Sequence, residues 1–339
     1  NVTLSLIFKS VKEIKIPIPG GYIAGKLWGN DQQQPILALH GWQDNCGVWD
    51  PLAAMLCDKK PLLAIDLPGH GLSSWQPPGA YQETWDVVQY LIELKNYFKW
   101  DKLSILGHSL GSVGGLRYAG LYPNNVEFFI AVENLVYEDL DTDFVLKYLP
   151  KELEKYQMCQ HLHNKDPPEG TMEDLTYKLY TAMNKSVDKQ NMHYLTQRAI
   201  RPSNRDPTKF CYTRDIRLKC MSMKPSNKEF LERLFSRVSC PLLYIKAANS
   251  SYKLSDEHCL RVREILEKNN PNYESHTVEG SHHVHVNNPE RLASIRPRYW
   301  WNIGSKRDDG GRLQFSRHHC PLDYSSVPRN REERGFTIY

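Results

Sequence analysis

Gly107-His108-Ser109-Leu110-Gly111 follows an apolar run that ends at Leu106 and opens a stretch with helical character. This is the G-x-S-x-G pattern of a nucleophile elbow, in which a serine stands on a sharp strand-to-helix turn. A hydroxyl is a weak nucleophile at neutral pH, so it must stand clear of the backbone where a base can take its proton. The flanking glycines give the turn room, because side chains there would collide. The plainer role for Ser109 is a helix N-cap, but the strand, turn and helix that an elbow needs occur in order.

The base comes last in such a chain, after nucleophile and acid, and the segment Glu279 to Pro289 offers His282, His283 and His285. His282 follows the small pair Gly280-Ser281, where the loop turns toward the site, and is the expected base. His283 and His285 are expected to pack or hydrogen-bond behind it. Clustered histidines also suggest a metal, yet no carboxylate or cysteine stands nearby in sequence to complete a local site, and the HxxxH helical spacing is absent. No metal is therefore expected.

The acid is the harder assignment. After the strand read at Leu242 to Ala247, the loop Ala248-Asn249-Ser250-Ser251-Tyr252 holds no carboxylate, and the next one is Asp256, in or at the start of a helix. Glu133 instead ends the strand Val126 to Val132. A helix leaving Ser109 runs about 20 Å at 1.5 Å per residue, and that strand returns about 23 Å at 3.3 Å per residue. Glu133 thus comes back to the level of Ser109 and is the expected acid. A surface or salt-bridging role for Glu133, with Asp256 as the acid, is the alternative.

Elements must position these residues. Short apolar runs at Ile36–Leu39, Leu62–Ile65, Leu103–Leu106, Val126–Val132, Leu242–Ala247 and Glu274–Val278 alternate with helical stretches. That alternation predicts an α/β fold, a mostly parallel sheet with helices on both faces. The carboxyl ends of its strands share one edge, where ligands bind. Val11–Ile18 and Gly21–Trp28 flank Pro19-Gly20-Gly21 and predict an antiparallel edge hairpin. Residues 134–238 form an insertion too long for an ordinary connection, charged and poor in strand signals. It is predicted as a helical cap over the carboxyl edge, with Leu153, Tyr156, Leu175, Leu179 and Leu195 lining or supporting it and core packing the main role for most of them. The core then comprises 1–133 and 239–295.

The loop after the first parallel strand carries His40-Gly41-Trp42. The Trp42 amide, with the Leu110 amide at the helix N-terminus, is expected to hold an oxyanion where charge develops. Trp42 and Trp49 are candidates to shape an apolar acyl pocket, with core packing the alternative for Trp49. Asp66 and His70 look like a second acid-base pair, but they precede the nucleophile and are read as scaffold.

Over 339 residues a net charge of +4 is small, and its basic excess gathers after Arg291, so nucleic acid is not implied. No run approaches the ~18 apolar residues of a membrane span, and no signal-like segment is read near Asn1. Eight scattered cysteines without a C-x-x-C pair suggest reduced thiols and a cytoplasmic or other intracellular location.

LHGWQDN (39–45), AIDLPGHGLSS (64–74), LSILGHSLGSVGG (103–115), LLYIKA (242–247) and EGSHHVHVNNPE (279–290) together resemble the serine hydrolase-like proteins of animals, of the α/β-hydrolase superfamily. The resemblance spans about 11–295. It implies an α/β-hydrolase fold, Ser109 as nucleophile, His282 as base and an acid at the end of the fourth parallel strand, where this chain has Glu133. It fixes no substrate. After Ile295 the pattern departs: Arg296-Pro297-Arg298 would break a closing helix, and 296–339 is read as a disordered tail.

The resulting expectation is a cofactor-independent serine hydrolase that cleaves a carboxylic ester or related acyl bond of a small molecule. Epoxide or haloalkane cleavage on this architecture would need a carboxylate where Ser109 stands. The rival from another class is a binding protein that keeps the fold and lacks a working triad.

Overall fold

The computed structural model describes residues 11–80, 83–135, 142–163, 165, 167–220, 227–250 and 256–295. The tail 296–339 therefore lies outside the described residues. The main sheet has eight strands: β1 (Lys12–Ile18), β2 (Gly21–Trp28), β3 (Ile36–Leu39), β4 (Leu62–Ile65), β5 (Leu103–His108), β6 (Val126–Val132), β10 (Leu242–Ala247) and β11 (Tyr273–Val278). Their order is β1-β2-β4-β3-β5-β6-β10-β11. β1 and β2 form the antiparallel edge hairpin, β2 meets β4 antiparallel, and all pairs from β4 to β11 are parallel. The six apolar runs read from the sequence are thus the six parallel strands.

The strands are apolar along their whole length because helices cover both faces. On one face Leu37, Leu39, Ile105 and Phe129 pack with α2 (Asp86–Phe98), α3 (Leu110–Leu121), α7 (Lys228–Ser236) and α8 (Asp256–Asn269). On the other, the alternate residues Ile36, Ala38, Leu106 and Ile130 pack with α1 (Asp50–Leu56), α9 (Val284–Asn287) and α10 (Pro289–Ala293). Burying residues of both parities fixes the register, since a one-residue slip would exchange the two faces.

Between β6 and β10 the chain holds α4 (Thr142–Leu162), α5 (Met172–Ala182) and α6 (His193–Ala199). It also holds a three-stranded antiparallel sheet of β7 (Glu169–Gly170), β8 (Ile200–Pro202) and β9 (Phe210–Tyr212). The sequence reading foresaw only helices there. Strands of two and three residues are too short to show a period, so local pattern carries no sign of them. Of the side chains expected to line or support this segment, Leu175, Leu179 and Leu195 are buried and Leu153 is exposed.

The segment is tied to loops at the carboxyl ends of the main sheet. Arg198 donates to Asp66 through Nε and Nη2 at 3.0 and 2.8 Å, and Asn45 Nδ2 donates to the Leu195 carbonyl at 2.9 Å. The Asp215 amide donates to Gly69 O at 2.8 Å, and the Arg217 guanidinium donates to Pro77 O at 2.8 Å. Asp66 also accepts the amides of Cys46 and Leu72 at 2.7 and 2.8 Å. Burial opposes its ionisation, but Arg198 and these bonds hold its pKa below the ordinary carboxylate value. This is the scaffold role read for Asp66.

Candidate active site

Ser109 joins β5 to α3 with φ 51° and ψ −110°, a strained conformation for a residue with a side chain. Its side chain makes no cap hydrogen bond, so the plain N-cap role is not what the turn is built for. Neighbouring glycines make the turn possible by close approach. A Cβ on Gly107 would fall 2.6 Å from the Gly111 carbonyl, and one on Gly111 would fall 2.3 Å from the Leu39 carbonyl oxygen. The Ser109 amide donates to Val132 O at 3.1 Å, pinning the turn to the end of β6.

β5 and β6 pair in register with His108 opposite Val132, which sets Ser109 level with Glu133. Glu133 is buried, with φ 75°. Its conformation is held from several sides: its amide donates to Ile245 O at 2.8 Å, and Oε1 accepts the Ala247 amide in a short bond. Lys246 Nζ approaches Oε2 at 3.4 Å. The same Oε2 accepts the Nδ1 proton of His282 at 2.8 Å. Burial pushes the Glu133 carboxyl up, and the bonds from His282, Ser250 and Ala247 with the Lys246 charge outweigh it, leaving the pKa below the usual value.

His282 lies in the loop between β11 and α9, and its pKa is lowered from the ordinary 6.5, chiefly by burial, with Glu133 pulling the other way. With Nδ1–H given to Glu133, the neutral ring keeps its lone pair on Nε2. The carbonyl of His282 accepts a hydrogen bond from His108 Nε2 at 3.0 Å. The loop that bears His282 and the turn that bears Ser109 are therefore joined directly. Ser109, Glu133 and His282 all follow strands at the carboxyl edge of the sheet, and Glu133 and His282 are hydrogen-bonded there. Asp256 opens α8, and nothing is described of its side chain.

Among the described residues neither the Trp42 nor the Leu110 amide has a hydrogen-bond acceptor, while the Gly111 amide between α3 and β3 is taken by His40 O at 3.2 Å. Gln43, next to Trp42, has φ 63°, which bends that loop. His40 fixes the loop's base: Nε2 accepts the Leu67 amide at 2.9 Å, so Nδ1 carries the proton and donates to Gly41 O at 2.7 Å. Trp42 is half-buried and meets the His70 ring edge-on at 5.9 Å. Trp49 is fully buried, its ring 4.6 Å from that of His285, which makes it a core residue.

Two residues near the site escaped the sequence reading: Asp44, in the loop after β3, and His108, the variable residue of the elbow motif. His283, read as a supporting residue, packs with both. Among the described residues no helix is long and apolar enough to cross a membrane.

A family profile described as the alpha/beta hydrolase fold matches residues 34–289. A probable serine hydrolase of Drosophila melanogaster is 30% identical over 285 residues, covering 84% of this chain and 86% of that protein. A serine hydrolase-like protein of Danio rerio is 27% identical over 298 residues, with 87% and 90% covered. Among solved structures, a hypothetical protein from Pseudomonas aeruginosa PAO1 superposes with a TM-score of 0.70 at 25% identity, over 83% of this chain and 95% of that one.

Proposed function

The chain belongs to the α/β-hydrolase fold family, among its serine hydrolase-like members, and from that premise we propose that it is a cofactor-independent serine hydrolase acting on a carboxylic ester or related acyl bond. The observation that carries this reading is the buried Glu133–His282 bond of 2.8 Å, anchored through His108 to the turn that bears Ser109.

The chemistry follows the tautomer. Glu133 holds the proton on Nδ1, so the lone pair of His282 lies on Nε2, the atom that takes the Ser109 proton as Oγ attacks the substrate carbonyl. The imidazolium that forms is stabilised by the Glu133 carboxylate and then protonates the leaving alcohol. The acyl group stays on Ser109 until a water, deprotonated by the same Nε2, releases it as the acid. The Trp42 and Leu110 amides, unpaired among the described residues and the latter at the N-terminus of α3, would receive the oxyanion in both steps. Segment 134–238 would act as the cap over this edge, so that its contacts with the β3 and β4 loops set the pocket's shape and exclude water. The substrate is a small acyl compound.

The test is covalent labelling with a fluorophosphonate. The parent protein should label once and lose p-nitrophenyl ester hydrolysis on labelling, whereas Ser109→Ala should do neither while keeping its circular dichroism and melting temperature. Turnover in pure, folded Ser109→Ala would remove Ser109 from the mechanism. A folded parent that neither labels nor turns over any ester in a chain-length series would replace the enzyme with a binding protein.

A further inference from the structure

Behind His282 lies a group of polar atoms that the proposed hydrolysis does not use. Asp44, His108 and His283 are all buried, and each offers one ligand atom within 4.8 Å of the others. They come from the loop after β3, the end of β5 and the loop after β11, which the fold brings together. Gly41 makes the approach possible, because a Cβ there would fall 2.7 Å from Asp44 Oδ2 and 2.9 Å from His108 Nδ1.

The outer hydrogen bonds decide where the protons are. His108 Nε2 faces the His282 carbonyl at 3.0 Å, and a carbonyl only accepts, so Nε2 carries the proton. His283 Nδ1 meets Ser186 Oγ at 2.7 Å, and the Ser186 hydroxyl donates its own proton to Met183 O at 2.7 Å. When the Ser186 proton goes to Met183 O, Ser186 accepts from His283 and the ring proton sits on Nδ1. In their neutral forms both rings then turn a bare lone pair toward the Asp44 carboxylate: His108 Nδ1 at 3.4 Å and His283 Nε2 at 3.3 Å. His108 Nδ1 has no hydrogen-bond partner, and these two rings are the only side-chain partners of the Asp44 carboxylate among the described residues. In that state three acceptors lie within 4.8 Å of one another with no donor between them. Such an arrangement is repulsive unless a cation fills it.

We propose that Asp44, His108 and His283 form a buried binding site for a divalent transition-metal ion of the zinc class, which ties the loop after β3, the elbow strand and the loop of the base together. Two imidazoles and a carboxylate suit zinc, and ligands at about 2.0–2.2 Å in tetrahedral geometry lie about 3.3–3.6 Å apart. That is the spacing found on both Asp44 edges. A proton bridge would instead draw a charge-assisted N–H···O pair to about 2.7–2.9 Å. The outer bonds fit as well, since a ligating histidine gives its second N–H to a carbonyl or hydroxyl that fixes its ring. Three protein ligands leave a fourth position for water. The expectation of no metal rested on the lack of a carboxylate near the histidines in sequence; Asp44 supplies one from 239 residues away.

The test uses the full chain, stripped with a chelator and titrated with Zn²⁺ and separately Co²⁺. One equivalent should bind, Co²⁺ should give the intense visible absorption of tetrahedral coordination, and Zn²⁺ should raise the melting temperature. Asp44→Asn and His283→Gln should each weaken Zn²⁺ by more than the roughly 10- to 100-fold typical of outer-shell changes. Absence of stoichiometric binding, or binding unchanged in folded Asp44→Asn, would overturn the site. Should both variants fail to fold, the parent decides by ¹⁵N NMR of its histidines: Zn²⁺ must shift one ring nitrogen each of His108 and His283, and unshifted signals refute the proposal. None of these readouts depends on hydrolysis.

Discussion

His282 and His283 are adjacent, both are buried, and each faces a buried carboxylate, yet the two pairs are built differently. His282 meets Glu133 at 2.8 Å, with one N–H aimed at one acceptor. His283 meets Asp44 at 3.3 Å with His108 crowding the same carboxylate at 3.4 Å, and acceptors face one another. The difference arises at the far side of each ring. Nδ1 of His283 faces a hydroxyl, that of Ser186, whereas Nδ1 of His282 faces the Glu133 carboxylate, which only accepts. Residue type alone therefore does not assign a role; the partner that fixes the tautomer does. On the proposed reading one pair moves a proton and the other holds a cation.

The largest expected effect separates the two histidines. His282→Ala should lower ester turnover by about 10⁴-fold or more, because members of such a unit fail together. His283→Ala should cost far less turnover per folded molecule and should appear mainly as a lower melting temperature. Steady-state kinetics beside thermal denaturation distinguishes them. A dead His283→Ala with an active His282→Ala would exchange the two roles.

Next comes the carboxylate. In Glu133→Gln the amide can still accept from Ala247, but an NH₂ group facing His282 Nδ1 would drive the ring proton to Nε2, the wrong nitrogen for a base. An equivalent change in a serine protease costs about 10⁴-fold, and a loss of that order in kcat is expected here. Asp256→Asn should leave kcat near the parental value. The reverse pattern would move the acid to the region after β10 and leave Glu133 a structural anchor.

What could be read ahead of the structure follows from the range of the interactions. Ser109 and His282 stand in local patterns, and Glu133 came from adding a helix length to a strand length, a sum that the His108–Val132 register reproduces. The φ of 75° at Glu133 and its anchors at Ile245 and Ala247 have no local signature, because they arise only when β10 docks beside β6. Asp44 was invisible as a partner of His283 for the same reason. Its loop looks like any polar turn until the sheet folds and brings the last histidine loop against it. The short strands of the inserted segment were missed because they are defined by pairing, not by pattern.

The smallest effect is the pH dependence of the metal-free protein. Burial lowers the His282 pKa below 6.5 and Glu133 opposes that shift, so His282 is neutral at pH 7, the form the proposed base needs. The acid limb of kcat/KM, which reports the free enzyme's base, should lie below pH 6.5, with the rate falling as pH drops through it. Glu133→Gln removes the group that raises this pKa, so its residual activity should show the limb at still lower pH; a limb moving upward would mean that Glu133 does not face the base in solution. Zn²⁺ bound at Asp44, His108 and His283 would add positive charge beside His282 and push the limb the same way. Stability follows a related rule. Burial lowers His70 to about 3 and His108 to about 4. Below pH 6.5 the unfolded chain takes up protons that these folded rings refuse, so the stability present above 6.5 is lost progressively as pH falls toward those values. Urea unfolding at pH 7.5 and pH 5 should show that loss, and Zn²⁺ should enlarge it, because protons compete with the metal for the ligands. A Zn²⁺ stabilisation equal at both pH values would count against histidine ligation while leaving the His282–Glu133 pair untouched.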